Sequence, residues 1–332
     1  MNNRRSMSGA VRAGWAVALL LASAGVALAQ SSKPWRHGII EAKSDAGIFY
    51  MPSKGGFADK LGLNLETVQL KTDAIGLKAL LAGELESFEG GAQGAIVAAA
   101  RGGDVKIIGC HWVVVPHGVF VRNAISSLQD LKGKAIAVSS PGTFPELVAK
   151  AALAKAGIPA GEVKFAAMGA DIDRYKALVA GVVDAAVISN EYLPIVAQQG
   201  IKELVPGREA VPNFVRVCLF ASSKVIADRR DDAIKFLAAE SRGLRYALTH
   251  RDETIKLAIE MTNAKGDDPR PAFVFDEAVR VSAVAPDLPI PLEKLNAMQE
   301  QLVSIGNLPK SIDLAKIIDG SLRVKALELA AQ

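Results

Sequence analysis

Aromatic residues make up only 5% of this sequence, and its 332 residues include just two cysteines and four histidines. Each scarcity excludes something. So few aromatic side chains leave little material for a cage around a sugar or a quaternary amine. Two cysteines cannot build a disulfide scaffold. The histidines, His37, His111, His117 and His250, show neither His-x3-His nor His-Glu-x-x-His spacing, and the one close pair, His111 and His117, straddles a strand junction. No metal site is therefore assigned. There is no G-x-x-x-x-G-K-[ST] loop for a nucleotide phosphate; the nearest stretch, GGAQGA at 90–95, lacks the lysine. There is no G-x-S-x-G nucleophile elbow. The formal net charge of +4 leaves no electrostatic footprint for nucleic acid. No catalytic residue and no cofactor emerge, so a binding role is expected rather than an enzyme.

Long apolar runs are also scarce. The one at Ala13 to Val26 is shorter than the roughly 20 residues a membrane span needs. It follows Arg4, Arg5 and Arg12 and ends at the small-x-small triplet Ala27-Leu28-Ala29. That is the layout of a secretory signal peptide. Residues 1–29 are expected to be cleaved near Ala29, which lowers the net charge to +1 and delivers the chain to the periplasm. What remains, roughly 300 residues, exceeds the usual single core and implies about two domains. In an oxidising compartment Cys110 and Cys218 can pair, but the plainer expectation is two unpaired, buried small side chains in strands.

Strand-like and helix-like segments alternate along the chain. HGIIEAKS (37–44), NLETVQL (64–70), VKIIGC (105–110), AIAVS (135–139), VKFAAM (163–168), DAAVIS (184–189) and KELV (202–205) read as strands with helices between them. After residue 222 the pattern is nearly all helical. This alternation indicates an α/β protein with mainly parallel sheets. The chain also repeats itself. TDAIGLKALLAGELE (72–86) aligns without gaps on ADIDRYKALVAGVVD (170–184), an offset of 98 that carries Asp73 onto Asp171, Lys78 onto Lys176 and Gly83 onto Gly181. Two copies at so long a period mean two related lobes, not a solenoid. We expect residues 30–115 with 215–332 to form the first lobe and 116–214 the second, joined by crossings at 113–122 and 214–222.

Open α/β sheets bind ligands beyond the carboxyl ends of their strands, where helix N-termini point. Two such lobes face each other across a cleft. The strand ends nominate Asp45, Gly47 and Phe49, then Thr72 and Asp73, then Gly91 and Gln93 from the first lobe. From the second they nominate Ser139, Ser140, Gly142 and Thr143, then Asp171 and Arg174, then Ser189, Asn190 and Glu191. Each has a plainer role. Asp73, Asp171 and the serines at 139–140 stand where N-caps belong. Gly83 and Gly181 stand where helices stop. Arg174 either clamps a carboxylate or sulfonate or decorates a helix surface. Glu89 falls by the repeat on Val187, inside a strand, so it is either exposed at an edge or held against the cleft. The hydroxyls and amides of Ser139-Ser140-Pro141-Gly142-Thr143 suit an oxyanion.

FYMPSKGGFADKLGLNLETVQL, KALLAGELE, SLQDLKGKAIAVSSPGT and RYKALVAGVVDAAV, in this order, resemble the periplasmic solute-binding proteins of the nitrate/sulfonate/taurine type, in the thiamine-pyrimidine-synthase-like family. The resemblance spans about 40 to 310. It departs at Glu86, where the family carries aspartate, and at SFEG, where the family's strand is apolar. It implies a type II periplasmic-binding fold: two α/β lobes joined by two hinge strands, with a helical C-terminal region. It further implies a monomeric receptor that delivers a small organic anion or zwitterion to an ABC permease of the inner membrane. A pyrimidine- or menaquinone-pathway enzyme on the same fold, or a sensor for a membrane kinase, is the alternative. The family's pyrimidine-synthesising enzymes use a cysteine-rich motif that is missing here.

Overall fold

The chain builds four of the five strands of its first sheet, crosses over, builds a second sheet, and then returns with the fifth. The computed structural model describes residues 33–332, which form one unit; the expected signal peptide lies outside them. Strands β1 (Trp35–Ile40), β2 (Leu65–Leu70), β3 (Ser87–Gly90) and β4 (Lys106–Trp112) alternate with helices α1 (Ala46–Lys54), α2 (Asp73–Leu81) and α3 (Ala92–Ala100). The chain then passes into β5 (His117–Arg122), β6 (Ala135–Val138), α4 (Phe144–Lys155), β7 (Lys164–Ala167), α5 (Asp171–Val179), β8 (Ala185–Ser189), α6 (Leu193–Val196), β9 (Ile201–Pro206) and α7 (Gly207–Ala210). It comes back as β10 (Val217–Ala221). Six helices follow: α8 (Ser223–Asp228), α9 (Arg230–Thr249), α10 (Arg251–Thr262), α11 (Pro269–Arg280), α12 (Leu292–Ser304) and α13 (Ser321–Ala330).

The strand orders are β2-β1-β3-β10-β4 and β7-β6-β8-β5-β9. They are the same order under the repeat. In each sheet four strands run the same way and the strand entered from a crossing, β10 or β5, lies antiparallel between two of them. Helices cover the faces, so β3, β8 and β10 are buried along their whole length. Helices α2 and α5 begin and end at the 98-residue offset. Each stops before a glycine in the left-handed region, Gly83 at φ 74° and Gly181 at φ 71°, as expected from their role as helix stops. Helices α9 and α10 pack on α1, and α13 packs on α9 and β4, whereas α11 reaches across to the short turn Asn190–Tyr192 of the second sheet.

The structure revises three sequence expectations. First, Cys110 and Cys218 are joined in a disulfide. They are partners in the β4–β10 ladder, a proximity that arises only because β10 inserts between β3 and β4 after a detour of 108 residues. Second, Asp73 and Asp171 are not caps. Thr72 caps α2, its hydroxyl accepting from Ile75 N at 3.3 Å, and α5 starts from Ala170. The two carboxylates instead accept amide protons eighteen residues on, Asp73 from Gly91 N at 3.4 Å and Asp171 from Ser189 N at 3.2 Å. Each aspartate thus ties its helix start to the end of the neighbouring strand, so the repeat extends to tertiary contacts. Third, the serines at 139–140 do not cap α4; Thr143 occupies that place. Among the described residues no helix is long and apolar enough to cross a membrane.

Candidate functional site

A cavity of about 1160 Å³ opens between the two sheets. The ends of β1, β2 and β3 line it from one side, the ends of β6, β7 and β8 from the other, with the crossing residue Arg216 and the start of α11 closing the circuit. Strand pairing fixes this meeting point, because parallel neighbours all end on the same edge of a sheet.

Nine of the sequence-nominated residues meet there: Asp45, Phe49, Thr72, Asp73, Gly91, Ser139, Asp171, Arg174 and Glu191. The others do not line the cavity. Gly47 is a packing glycine; a Cβ on it would stand 1.8 Å from the carbonyl oxygen of Thr254 in α10. Gln93 is buried behind Gly91 with its Oε1 unpartnered. Ser189 and Asn190 border a small hollow behind the crossing, beside Trp112 and Pro116. The turn at Ser140, Gly142 and Thr143 is satisfied internally. Thr143 Oγ1 donates to Ser140 O at 2.6 Å and accepts from Ser140 N at 3.2 Å, and Gly142 N donates to Glu146 Oε2 at 2.7 Å. Of the five residues of that turn, only Ser139 reaches the cavity.

Charged groups line much of the wall, and its three arginines are all in ion pairs. Arg174 is neither a surface residue nor a free clamp. It is 3% exposed, its Nε donates to Val187 O at 2.7 Å, and its remaining bonds go to Gly169 O and Asp171. Arg216 donates to Asp45 Oδ2 at 2.6 Å. Its guanidinium lies 4.5 Å from the Trp112 ring centre and 5.2 Å from that of Phe49, within cation–π range of both. Glu89 is held against the cleft, 4% exposed. Burial opposes its charge, but His111 Nε2 at 2.9 Å and His37 Nε2 at 3.8 Å outweigh burial and hold its carboxyl at about 2. Burial pushes Asp73 the other way, upward. It pushes Glu191 upward too, with Asp171 and Asp45 adding repulsion. His117, 8% exposed, is driven well below the usual histidine range by burial and by Lys43, Arg216 and Arg174, so its ring stays neutral.

One bond spans the cavity: Ser44 N, after β1, donates to Glu191 Oε2, after β8, at 3.1 Å. On the same side Tyr175 stacks on Tyr192 at 4.2 Å, and Arg270 of α11 sits 5.8 Å from the Tyr192 ring centre. Sequence reasoning did not nominate Lys43, His117, Tyr192, Arg216 or Arg270. A signal existed for Arg216, a charge inside the apolar run FVRVCLFAS. Arg270 had none, since α11 lies outside the repeat.

The NMT1/THI5-like family model matches residues 43–254. The chain belongs to the NMT1/THI5-like family. No curated protein matches it significantly. Among solved structures, a protein of Bordetella bronchiseptica RB50 superposes with a TM-score of 0.76 at 19% identity, covering 91% of this chain and 99% of that one. The alkanesulfonate-binding protein SsuA of Xanthomonas axonopodis pv. citri, solved with MOPS, gives 0.70 at 17%, covering 87% and 99%. The periplasmic aliphatic sulphonate-binding SsuA of Escherichia coli gives 0.69 at 20%, covering 86% and 92%. At these identities the likeness is one of fold, and the fold of this NMT1/THI5-like chain is that of the periplasmic binding proteins.

Proposed function

We propose that this NMT1/THI5-like protein is a periplasmic receptor that captures a small organic solute and hands it, unchanged, to an ABC permease of the inner membrane. The solute belongs to the anion or zwitterion class that includes sulfonates, taurine, nitrate and carboxylates. The observation that carries this reading is the hydrogen bond from Ser44 to Glu191 across a cavity lined by the strand ends of both sheets. Such a bond can form only when the two bodies, 30–115 with 215–332 and 116–214, are drawn together, and closure around a ligand is how a two-lobed receptor buries it. Residues 1–29 serve as the export signal, and the receptor works as a monomer without a cofactor. The sulfonate binding named for the SsuA neighbours supports the solute class.

Native purification of the chain followed by mass spectrometry of what heat or denaturant releases tests the reading. We expect an unmodified small solute, and calorimetry that returns a micromolar Kd for it. Conversion of that solute to a product by the purified protein sinks the receptor reading.

A further inference from the structure

The interior of the cavity has more carboxylates than cations. At the exposed rim two acids, Glu41 and Asp267, are equalled in number by two bases, Lys71 and Lys265. Inside, Asp45 is paired with Arg216 at 2.6 Å, Asp268 with Arg270 at 2.6 Å and Asp171 with Arg174, and Glu89 shares a hydrogen bond with His111. Asp73 and Glu191 remain without an ion pair among the described residues, and Lys43 is the one interior cation left to answer both. His117 does not make up the difference: it lines the cavity, its Nδ1 has no partner, and its ring is neutral. Glu191 is the sharper case. It is 3% exposed, it faces the cavity, and the one hydrogen bond its carboxylate makes to the described residues is from the amide of Ser44 to Oε2. A carboxylate buried with a single neutral donor is costly, and a bound cation offsets that cost.

We propose that the solute carries a protonated nitrogen that lies against the free oxygen of Glu191, with Asp73 adding to the attraction. The receptor then takes aminosulfonates or aminocarboxylates and rejects acids of the same size that lack a basic nitrogen. Lys43 answers the acidic end of such a zwitterion. This inference rests on the receptor reading above and narrows the ligand class of that same site.

Matched pairs test it: taurine against isethionate, and β-alanine against 3-hydroxypropionate, each differing only in amine for hydroxyl. Calorimetry on the wild-type chain is expected to favour the amine member at least tenfold. Glu191→Gln is expected to lose at least tenfold for that amine member. The melting temperature of the unliganded variant, measured alongside, shows that the loss is not unfolding. Equal binding of both members of a pair, or recovery of a natural solute without a basic nitrogen, overturns the inference and leaves the receptor standing. If no member binds and nothing co-purifies, the receptor reading falls and takes the inference with it.

Discussion

The two sheets share one strand order and one repeat, yet at corresponding positions near the cleft β3 carries Glu89 and β8 carries Val187. Around Val187 the second sheet is apolar, its face built from Val119, Val121, Ile136 and Val138. Around Glu89 the first sheet is wired. His111 and His37 approach the carboxylate, while His37 Nδ1 and Trp35 Nε1 both meet Ser87 Oγ at 2.8 Å. The same backbone therefore tolerates either a hydrocarbon or an ionised group at this place, provided the ionised group brings its partners. The first sheet also carries the disulfide; among the described residues the second has none.

Writing the second sheet's residue into the first breaks the comparison hardest. Glu89→Val leaves two buried imidazoles facing a vacated site, and removing one member of a buried ionic network costs about 3–5 kcal/mol. Urea unfolding of the unliganded chain is expected to show a loss of that size. A variant as stable as wild type would mean that the histidines are satisfied without Glu89.

The disulfide ranks next. It closes a loop spanning 108 residues, and removing a cross-link of that span costs about 2–4 kcal/mol. Cys110→Ser with Cys218→Ser is expected to lower the unfolding midpoint in urea accordingly. Addition of reductant should bring wild type to the double variant and leave the double variant unmoved.

The two aspartates of the repeat give a finer test. Asp171 neutralises the buried Arg174 and accepts from Ser189 N; Asp73 accepts only from Gly91 N. Asp171→Asn strands a buried guanidinium and is expected to cost about 2–3 kcal/mol. Asp73→Asn, at a carboxylate already disfavoured by burial, should stay within about 1 kcal/mol of wild type. Equal losses in denaturant titrations of the two variants would remove the asymmetry between the halves.

These partners also mark where the sequence stopped being readable. The repeat was visible because helix stops and strand patterns are local, and it carried Asp73 and Asp171 to equivalent places. What each aspartate binds was not visible, since Gly91 and Ser189 come near only when the neighbouring strand is in register. The pairing of Cys110 with Cys218 needed the inserted strand β10 for the same reason. The turn Ser139-Ser140-Pro141-Gly142-Thr143 read as an open cradle because the pattern shows which donors exist, not which are already spent. Within four residues Thr143 and Glu146 take up the amides of Ser140 and Gly142, and Ser140 O takes up the Thr143 hydroxyl. Arg174 had two sequence roles, and burial gave it a third, as a brace between α5 and β8.

The smallest effect separates two strand carboxylates by pH. Glu203 on β9 of the second sheet is part-buried beside Gly118, and it has no ion pair among the described residues. Burial lifts its carboxyl to about 7, against the opposing pull of Arg208, whereas the histidines hold Glu89 at about 2. The two must therefore move stability in opposite directions. For Glu203 the folded value lies above the unfolded one, so its contribution is fully present below about 4.5 and is lost as pH rises through 7. For Glu89 the folded value lies below, so its contribution is present at neutral pH and lost as pH falls towards 2. Glu203→Gln is expected to match wild type at pH 4.5 and to exceed it at pH 8 by on the order of 1 kcal/mol, after allowing for solvent screening at a partly exposed site. Melting curves of both proteins at the two pH values decide it. An advantage that appears at pH 4.5 and vanishes at pH 8 would reverse the sign and show that Glu203 is stabilised in its charged form.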